Sequence, residues 1–220
     1  MILITGATGG LGSALAKLYC EESPVLLSGR SEAKLAALAQ TLSGDVTTSV
    51  ADLMDENQIV QLLDTLPETP KMIFHCAGSG CFGPIETQSA ESLTQLVENN
   101  LTSTMLFLKA LVNRYQNQSV TVTVVMSTAA QVAKANESTY CAVKWGVRGL
   151  LESLRIELKG KPMKLVGVYP GGMATEFWVT SGTDMDTSSF MTGEEAATML
   201  KQAMPSTEHG YVSDITINRQ

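Results

Sequence analysis

Short apolar segments alternate with amphipathic segments along the whole chain. The apolar segments are rich in Val, Ile and Leu, and most lack polar alternation, which is typical of strands covered on both faces. The predicted strands are Met1–Thr5, Val25–Ser28, Thr47–Val50, Met72–Cys76, Val120–Met126, Lys164–Tyr169 and Tyr211–Ile217. The predicted helices are Gly10–Cys20, Ser31–Leu42, Glu56–Leu66, Ser89–Tyr115, Ser138–Leu158 and Gly193–Met204. Ser31 and Ser89 stand where N-caps are expected.

This alternation predicts the fold class. Strand–helix repeats at this spacing favour an α/β protein with a Rossmann-type, doubly wound parallel sheet flanked by helices on both faces. A chain of 220 residues is expected to form one domain, 1–220. The longest stretch without a clear period is Gly171–Thr192, which carries several aromatic and Met side chains. We expect a lid over a binding site there; a surface loop packing its own aromatics is the alternative.

Composition narrows the function. Lys and Arg number 15 against 22 Asp and Glu, a net charge of −7, which argues against nucleic-acid and anionic-membrane partners. No apolar run approaches the roughly 20 residues that span a bilayer, and an immediate first strand leaves no room for a signal peptide. The four cysteines lack C-x-x-C spacing, so we expect free thiols in the cytoplasm, with a Cys76–Cys81 disulfide as an alternative. The two histidines are far apart in sequence, so no metal site is expected.

A glycine-rich turn follows the first predicted strand. The segment Thr5–Gly12 reads T-G-A-T-G-G-L-G and leads into the first helix. Gly6 permits a tight turn, and Gly10 and Gly12 are expected to let a pyrophosphate approach the helix N-terminus. A glycine-rich turn without a ligand is the alternative. The predicted cofactor contacts of this turn are Gly6, Thr8, Gly10, Leu11 and Gly12.

The end of the second strand indicates which dinucleotide the turn would hold. NAD enzymes usually place Asp or Glu here for the ribose 2′-hydroxyl, but this chain has Ser28, Gly29 and Arg30. A guanidinium suits a 2′-phosphate, with Ser28 or Ser31 as further donors. A charge-assisted contact of about 1.5–3 kcal/mol corresponds to one to two decades of preference. We therefore expect NADP(H), with NAD(H) possible if Arg30 is only a solvated loop charge.

A tyrosine–lysine pair is the candidate proton-transfer group. Tyr140 and Lys144 would share one face of the fifth predicted helix. The ammonium is expected to lower the phenol pKa, so that Tyr140 can exchange a proton with a substrate oxygen. Ser127 follows an apolar strand and is expected to hydrogen-bond the same oxygen. Together with the glycine turn, this group predicts hydride transfer between a nicotinamide and a carbonyl or alcohol.

These motifs resemble the short-chain dehydrogenase/reductase family, in its compact single-domain branch. The family's T-G-x-x-x-G-x-G is matched at Thr5–Gly12, and its catalytic tetrad is matched by Asn100, Ser127, Tyr140 and Lys144. The resemblance implies that Lys144 also holds the nicotinamide ribose and that Asn100 anchors a water leading to solvent. A polar cap or helix-bending role for Asn100 and a competing Asn99 stay open. The further cofactor residues that the resemblance implies are Asp52, Leu53, Ala77, Gly78, Pro170, Gly171, Met173 and Thr175.

The chain departs from the family pattern in two places. His75-Cys76-Ala77-Gly78 replaces N-N-A-G, so side-chain bonds from the missing asparagines are in question, and His75 is expected to be a strand residue with a satisfied ring. The family's Gly-Gly near the C-terminus is missing, and only three residues follow the last predicted strand. This favours a homodimer through the fourth and fifth helices over a tetramer, with a monomer left open.

The expected function is that of an NADP(H)-dependent oxidoreductase acting on a small to medium, largely apolar carbonyl or alcohol. The segments expected to face the substrate, Gly78–Phe82, Thr128–Val132 and Gly172–Phe190, contain no Arg or Lys to hold a carboxylate. A catalytically silent NADP-binding regulatory protein is the alternative, although such a protein is expected to lose tetrad residues. A nucleotide-sugar epimerase or dehydratase would need a larger substrate domain.

Overall fold

The computed structural model describes residues 1–207 and 209–219. Its strands are β1 (Ile2–Thr5), β2 (Val25–Gly29), β3 (Val46–Val50), β4 (Met72–His75), β5 (Thr121–Val125), β6 (Lys164–Pro170), β7 (Met173–Ala174), β8 (Met191–Thr192) and β9 (Asp214–Ile217). Within the described residues, seven of them form one parallel sheet in the order β3-β2-β1-β4-β5-β6-β9. The predicted doubly wound α/β fold is confirmed.

Helices cover both faces of the sheet. They are α1 (Gly10–Tyr19), α2 (Glu32–Gln40), α3 (Glu56–Asp64), α4 (Ala90–Val97), α5 (Ser103–Tyr115), α6 (Ser138–Glu157), α7 (Phe177–Thr180) and α8 (Gly193–Ala203). Successive strand residues point to opposite faces, so Leu3 packs with α3, α5 and α6, whereas Ile4 packs with α1 and α8. Ser31 and Ser89 cap α2 and α4, as predicted. No helix in residues 1–207 and 209–219 is long and apolar enough to cross a bilayer.

Most predicted elements agree with the structure to within two residues at each end, and two differ by more. The predicted helix Ser89–Tyr115 is divided into α4 and α5 by a π-turn, Glu98–Thr102, where the Ser103 N–H donates to the Glu98 carbonyl. The last strand begins at Asp214 rather than Tyr211 because its ladder with β6 begins at the Gly167–Asp214 pair. Tyr211 is exposed and lies outside that ladder.

The strand order creates a crevice beside β1. The chain runs outward from β1 to β3 and returns as β4 on the other side of β1, and ligands of such sheets bind at the carboxyl ends beside this reversal. Gly6 follows β1 with φ +66°, and a Cβ on it would lie 2.5 Å from the Ala77 backbone N. The turns after β1 and β4 therefore touch, and glycine is required at this contact.

Candidate active site

A cavity of about 1000 Å³ opens at the carboxyl ends of the strands. It is lined by every residue predicted to bind cofactor and by three of the four predicted catalytic residues, Ser127, Tyr140 and Lys144. The predicted phosphate turn and the predicted proton-transfer group thus share one cavity. Asn100, the fourth predicted catalytic residue, is buried outside the lining.

The glycines of the phosphate turn are required by contacts within the protein. The Gly9 N–H donates to the Gly6 carbonyl, and a Cβ on Gly12 would overlap that same carbonyl oxygen. A Cβ on Gly10 would overlap the Thr175 side chain. Contacts within the protein thus favour glycine at both positions, and room for a pyrophosphate at Gly10 and Gly12 stays a prediction. Gly10, Leu11 and Gly12 line the cavity at the first turn of α1, where backbone N–H groups have no partner within the helix.

Two cationic side chains line the cavity beyond β2. Arg30 follows β2 and donates from Nη1 to Asn99 Oδ1 at 3.3 Å. Lys34, which the sequence reading missed, lies in the first turn of α2 and also lines the cavity. The sequence feature that could have identified Lys34 is its position three residues after the Ser31 N-cap, because the cap fixes where the first turn of α2 begins. The contact with Arg30 places Asn99, the neighbour of Asn100, at this end of the cavity.

Ser28 and Asp52 complete this end of the cavity. Ser28 Oγ is buried without a hydrogen-bond partner among the described residues, so its hydroxyl retains donor and acceptor capacity. One carboxylate oxygen of Asp52 accepts from the Met54 N–H at 3.0 Å. Leu53 beside it is buried and lines the cavity. A buried polar atom without a partner is costly, and a nucleotide ribose placed here would offer Ser28 one.

The proton-transfer group lies at the opposite end. Ser127 follows β5, and its Oγ accepts from the Ala129 N–H at 3.1 Å. Tyr140 is buried near the start of α6, and Lys144 lies one turn later with Nζ 5.5 Å from the centre of the Tyr140 ring. The three predicted residues are therefore brought together at the ends of β5 and α6.

The electrostatics of Tyr140 differ from the prediction. Burial raises the phenol pKa, hydrogen bonding with Ser127 lowers it by less, and the Glu137 and Cys141 side chains raise it further. Burial also lowers the Lys144 pKa to about 8. The net shift of the Tyr140 pKa in the cofactor-free protein is therefore upward, opposite to the predicted direction, because removal from water disfavours the charged phenolate.

Asn100 lies within the π-turn, behind the cavity wall. Its Nδ2 donates to the carbonyls of Ser79 at 3.0 Å and Leu96 at 2.9 Å, and its Oδ1 accepts from the Ser79 N–H at 3.3 Å. A Cβ on Gly78 would lie 2.8 Å from Asn100 Oδ1 and 3.2 Å from Lys144 Nζ. Gly78 therefore lets Asn100 and Lys144 come close to the same point of the backbone, and the helix-bending alternative for Asn100 agrees with the π-turn.

His75 has a fully hydrogen-bonded ring, and the cysteines are unpaired thiols. Both ring nitrogens of His75 are hydrogen-bonded, to Thr5 Oγ1 at 2.8 Å and Thr104 Oγ1 at 2.9 Å, as expected for a satisfied ring. Burial, and secondarily the Lys144 charge, lowers its pKa to about 3. The four cysteines are free thiols, and burial raises the pKa of Cys76 to about 12.

An aromatic cluster stands over Tyr140. The Phe82 ring lies 5.2 Å from the Tyr140 ring and stacks on Trp178 at 5.3 Å, and Phe177 lies 6.1 Å from Tyr140. Trp178 Nε1 donates to the Met173 carbonyl at 2.8 Å, which ties α7 to β7. Phe177 and Trp178 of the segment 171–192 thus line the cavity, whereas Phe190 packs against Trp178.

Lys134 is a second cavity-lining lysine that the sequence did not predict. Lys134 lies just after the predicted substrate segment Thr128–Val132, and its Nζ is 3.0 Å from Thr128 Oγ1 and 4.0 Å from Glu137 Oε2. Lys134 and Glu137 both line the cavity.

In the described part of the chain, no group of three or more His, Cys, Asp or Glu side chains could hold a metal ion.

Comparisons with known proteins identify the family. The family model described as short chain dehydrogenase matches residues 1–186. The crystal structure of a short-chain dehydrogenase/reductase from Vibrio parahaemolyticus is 51% identical, with a TM-score of 0.92 and 100% of both chains covered. A Sphingobium yanoikuyae short-chain dehydrogenase in complex with NADPH is 25% identical, with a TM-score of 0.82, covering 92% of this chain and 82% of that one.

A curated relative is also similar over most of this chain. The 3-ketodihydrosphingosine reductase of Yarrowia lipolytica is 30% identical over 193 residues, which are 80% of this chain and 52% of that protein. This chain therefore spans about half the length of that relative. The family model and the 51% identity to the Vibrio structure agree with the cavity that holds both the phosphate turn and the proton-transfer group. The chain belongs to the short-chain dehydrogenase/reductase family.

Proposed function

We propose that the protein is an NADP(H)-dependent oxidoreductase that interconverts a carbonyl compound and an alcohol. The observation that carries the proposal is that Ser127, Tyr140 and Lys144 line the same cavity as the phosphate turn of residues 5–12. NADP(H), when bound, supplies the hydride that is exchanged with the carbonyl carbon. The chain's own residues bind the dinucleotide, orient the substrate oxygen and move its proton.

The residues present fit a phosphorylated dinucleotide. The first-turn amides of α1 suit a pyrophosphate, and the unpartnered hydroxyl of Ser28 suits the adenosine ribose. Arg30 and Lys34 give this end of the cavity two positive charges, and β2 ends without the carboxylate that would repel a 2′-phosphate. Asp52 and Leu53 would border the adenine, and Pro170, Gly171, Met173 and Thr175 would border the nicotinamide.

Cofactor preference can be measured with one variant. Arg30→Ala is expected to raise the Kd for NADPH about tenfold or more, because a charge-assisted contact with the 2′-phosphate is lost. The Kd for NADH should change little. Arg114→Ala, which removes a guanidinium paired with Asp64 outside the cavity, is the matched control. Equal losses of affinity for both cofactors would show that Arg30 does not read the 2′-phosphate.

Tyr140 is proposed as the proton donor in carbonyl reduction. Its raised pKa keeps the phenol protonated near neutral pH, so it can donate to an oxygen that gains charge as hydride arrives. Ser127 orients that oxygen. Lys144, one turn away, stabilises the phenolate that remains. Asn100 is proposed to support Lys144 from behind Gly78.

The test of this assignment is Tyr140→Phe. The variant keeps the ring in its packing with Phe82, so NADPH affinity should be retained while kcat falls by about 10²–10⁴. Wild-type binding of NADPH without turnover of any carbonyl compound would favour the silent regulatory alternative. Near-normal turnover by the variant would remove Tyr140 from the proton-donor role.

The aromatic cluster supports a largely apolar substrate of small to medium size. Phe82, Phe177 and Trp178 bring apolar surface to Tyr140, and we propose the segment 171–192 as a lid. Trp178→Ala should raise the substrate KM by about tenfold or more through lost apolar burial, while the Kd for NADPH changes little. An unchanged KM with every active substrate would remove the lid proposal. We also propose that the protein forms one domain, 1–220, and that it is a homodimer in the cytoplasm.

A further inference from the structure

Backbone carbonyls in and beside the π-turn between α4 and α5 accept hydrogen bonds from side chains. The wider winding at Glu98–Thr102 takes carbonyl groups out of the regular i→i+4 pattern. Asn100 Nδ2 donates to the Leu96 carbonyl at 2.9 Å, and Ser103 Oγ donates to the Asn99 carbonyl at 3.0 Å. Thr104 Oγ1 donates to the Asn100 carbonyl at 2.6 Å. The shape of the turn therefore depends on side-chain donors and not only on the backbone.

The Thr104 hydroxyl connects this turn to His75 in the central sheet. Its proton is directed to the Asn100 carbonyl, so Thr104 Oγ1 must accept from His75 Nε2, which lies 2.9 Å away. His75 Nδ1 then accepts from Thr5 Oγ1 at 2.8 Å. These bonds assign the neutral Nε2–H tautomer to His75. Each donor in the series from Thr5 to Asn100 points toward Asn100. All four residues are buried, where an unsatisfied group would be costly.

The Asn100 end of this series of hydrogen bonds borders Lys144. Asn100 Oδ1 and Lys144 Nζ approach the same side of Gly78, as the close distances from a Cβ placed there show. On the neighbouring turn of α6, a Cβ on Gly146 would lie 3.3 Å from the Leu101 side chain, so the π-turn and α6 are in close contact. A change in the π-turn would therefore move the surroundings of the Lys144 ammonium. The groups that face Lys144 are Tyr140 on its own helix, His75 on β4 and Asn100 in the π-turn.

We propose that His75 is a positioning residue. By holding the Thr104 hydroxyl on the Asn100 carbonyl, it fixes the π-turn and with it the place of the Lys144 ammonium beside Tyr140. His75 does not exchange protons with substrate: both ring nitrogens are bonded, and its ring lies 5.1 Å from that of Phe107 within the core. The consequence for turnover rests on the proposed function, whereas the effect on Lys144 does not.

A matched pair of variants separates the hydroxyl from packing. Thr104→Val preserves the side-chain shape but removes the hydroxyl, and Thr104→Ser keeps the hydroxyl. In full-length protein, the titration of Lys144 is followed by NMR of lysine ¹³Cε, with the signal assigned by its loss in Lys144→Met. Thr104→Val is expected to shift the Lys144 pKa by about half a unit or more, and Thr104→Ser to leave it near the wild-type value. An unchanged Lys144 pKa in folded Thr104→Val would overturn the proposal.

Two further measurements keep the test independent of folding and of turnover. Imidazole ¹⁵N shifts, assigned with a His209→Gln variant, should show His75 as neutral Nε2–H between pH 5 and 8; the other tautomer, or titration in this range, would overturn the assignment. If wild type reduces a carbonyl, Thr104→Val should lower kcat about tenfold and shift its pH profile, with the NADPH Kd unchanged. Loss of thermal stability alone would indicate a merely structural contact. Absence of wild-type turnover would overturn the proposed function, while the Lys144 titration would still decide the positioning role.

Discussion

Replacing Lys144 should stabilise the protein while it removes activity. Lys144 is 5% exposed, and none of the ion pairs among the described residues includes it. Burial lowers its pKa from 10.5 to about 8, and one pKa unit corresponds to about 1.4 kcal/mol. The folded state therefore holds a protonated lysine at pH 7 at a cost of about 3 kcal/mol. Lys144→Met, a similarly long and unbranched side chain without charge, should recover much of this free energy.

The sign of the pH dependence follows from the lowered pKa. Below pH 8 the lysine is protonated in both the folded and the unfolded states, so the whole cost is present. Between about pH 8 and 10.5 the folded state has lost the proton and the unfolded state has kept it, so wild-type stability recovers as pH rises. The advantage of Lys144→Met should therefore be largest at pH 7 and shrink toward pH 10.

Urea unfolding of the cofactor-free protein at pH 7 and at pH 10 measures this difference. Lys159→Met, at an exposed lysine, is the control and should change the free energy of unfolding little at either pH. A Lys144→Met variant that is less stable than wild type at pH 7 would refute the reasoning. A gain that does not depend on pH would also refute it, because the stabilisation would then not come from the buried charge.

Three glycine positions give further predictions. Gly12→Ala should lower stability and weaken NADPH binding, because the new methyl overlaps the Gly6 carbonyl; calorimetry and a cofactor titration measure both, and unchanged values would show that the turn can relax. Gly80→Ala should raise the substrate KM and spare NADPH affinity, because the methyl would overlap Ser181 Oγ in the proposed lid; an unchanged KM would contradict closure at this contact. Gly149→Ala in α6 meets nothing within 4 Å and should stabilise the protein by about 0.5–1 kcal/mol in urea unfolding, a gain that any loss of stability would contradict.

The sequence predicted the fold where burial and periodicity are strong. The central strands are continuous apolar runs, and β1 is buried along its whole length, so composition alone identifies such segments. The π-turn escaped prediction because a helix with one wider turn keeps nearly the same apolar pattern. What stabilises the turn is the chain of side-chain bonds from Thr104 to His75, residues that are distant in sequence.

The candidate site was predictable where spacing places residues on one element. Tyr140 and Lys144 share a helix face, and the glycine turn follows a strand directly. The direction of the Tyr140 pKa was not predictable, because it depends on burial by Phe82 and other residues that come from separate parts of the chain. Lys34 was missed because its place at the cavity depends on how α2 follows β2.

The most direct test of the account is the fate of the nicotinamide hydrogen. Wild-type protein and Tyr140→Phe are incubated with NADPH deuterated at C4 on either face and with a panel of apolar ketones and aldehydes, and the products are analysed by mass spectrometry. With one of the two labelled cofactors, the wild type is expected to form an alcohol with one deuterium on the former carbonyl carbon. Tyr140→Phe is expected to form little product at saturating NADPH. Alcohol without deuterium from either label, or equal product from both proteins, would contradict hydride transfer assisted by Tyr140.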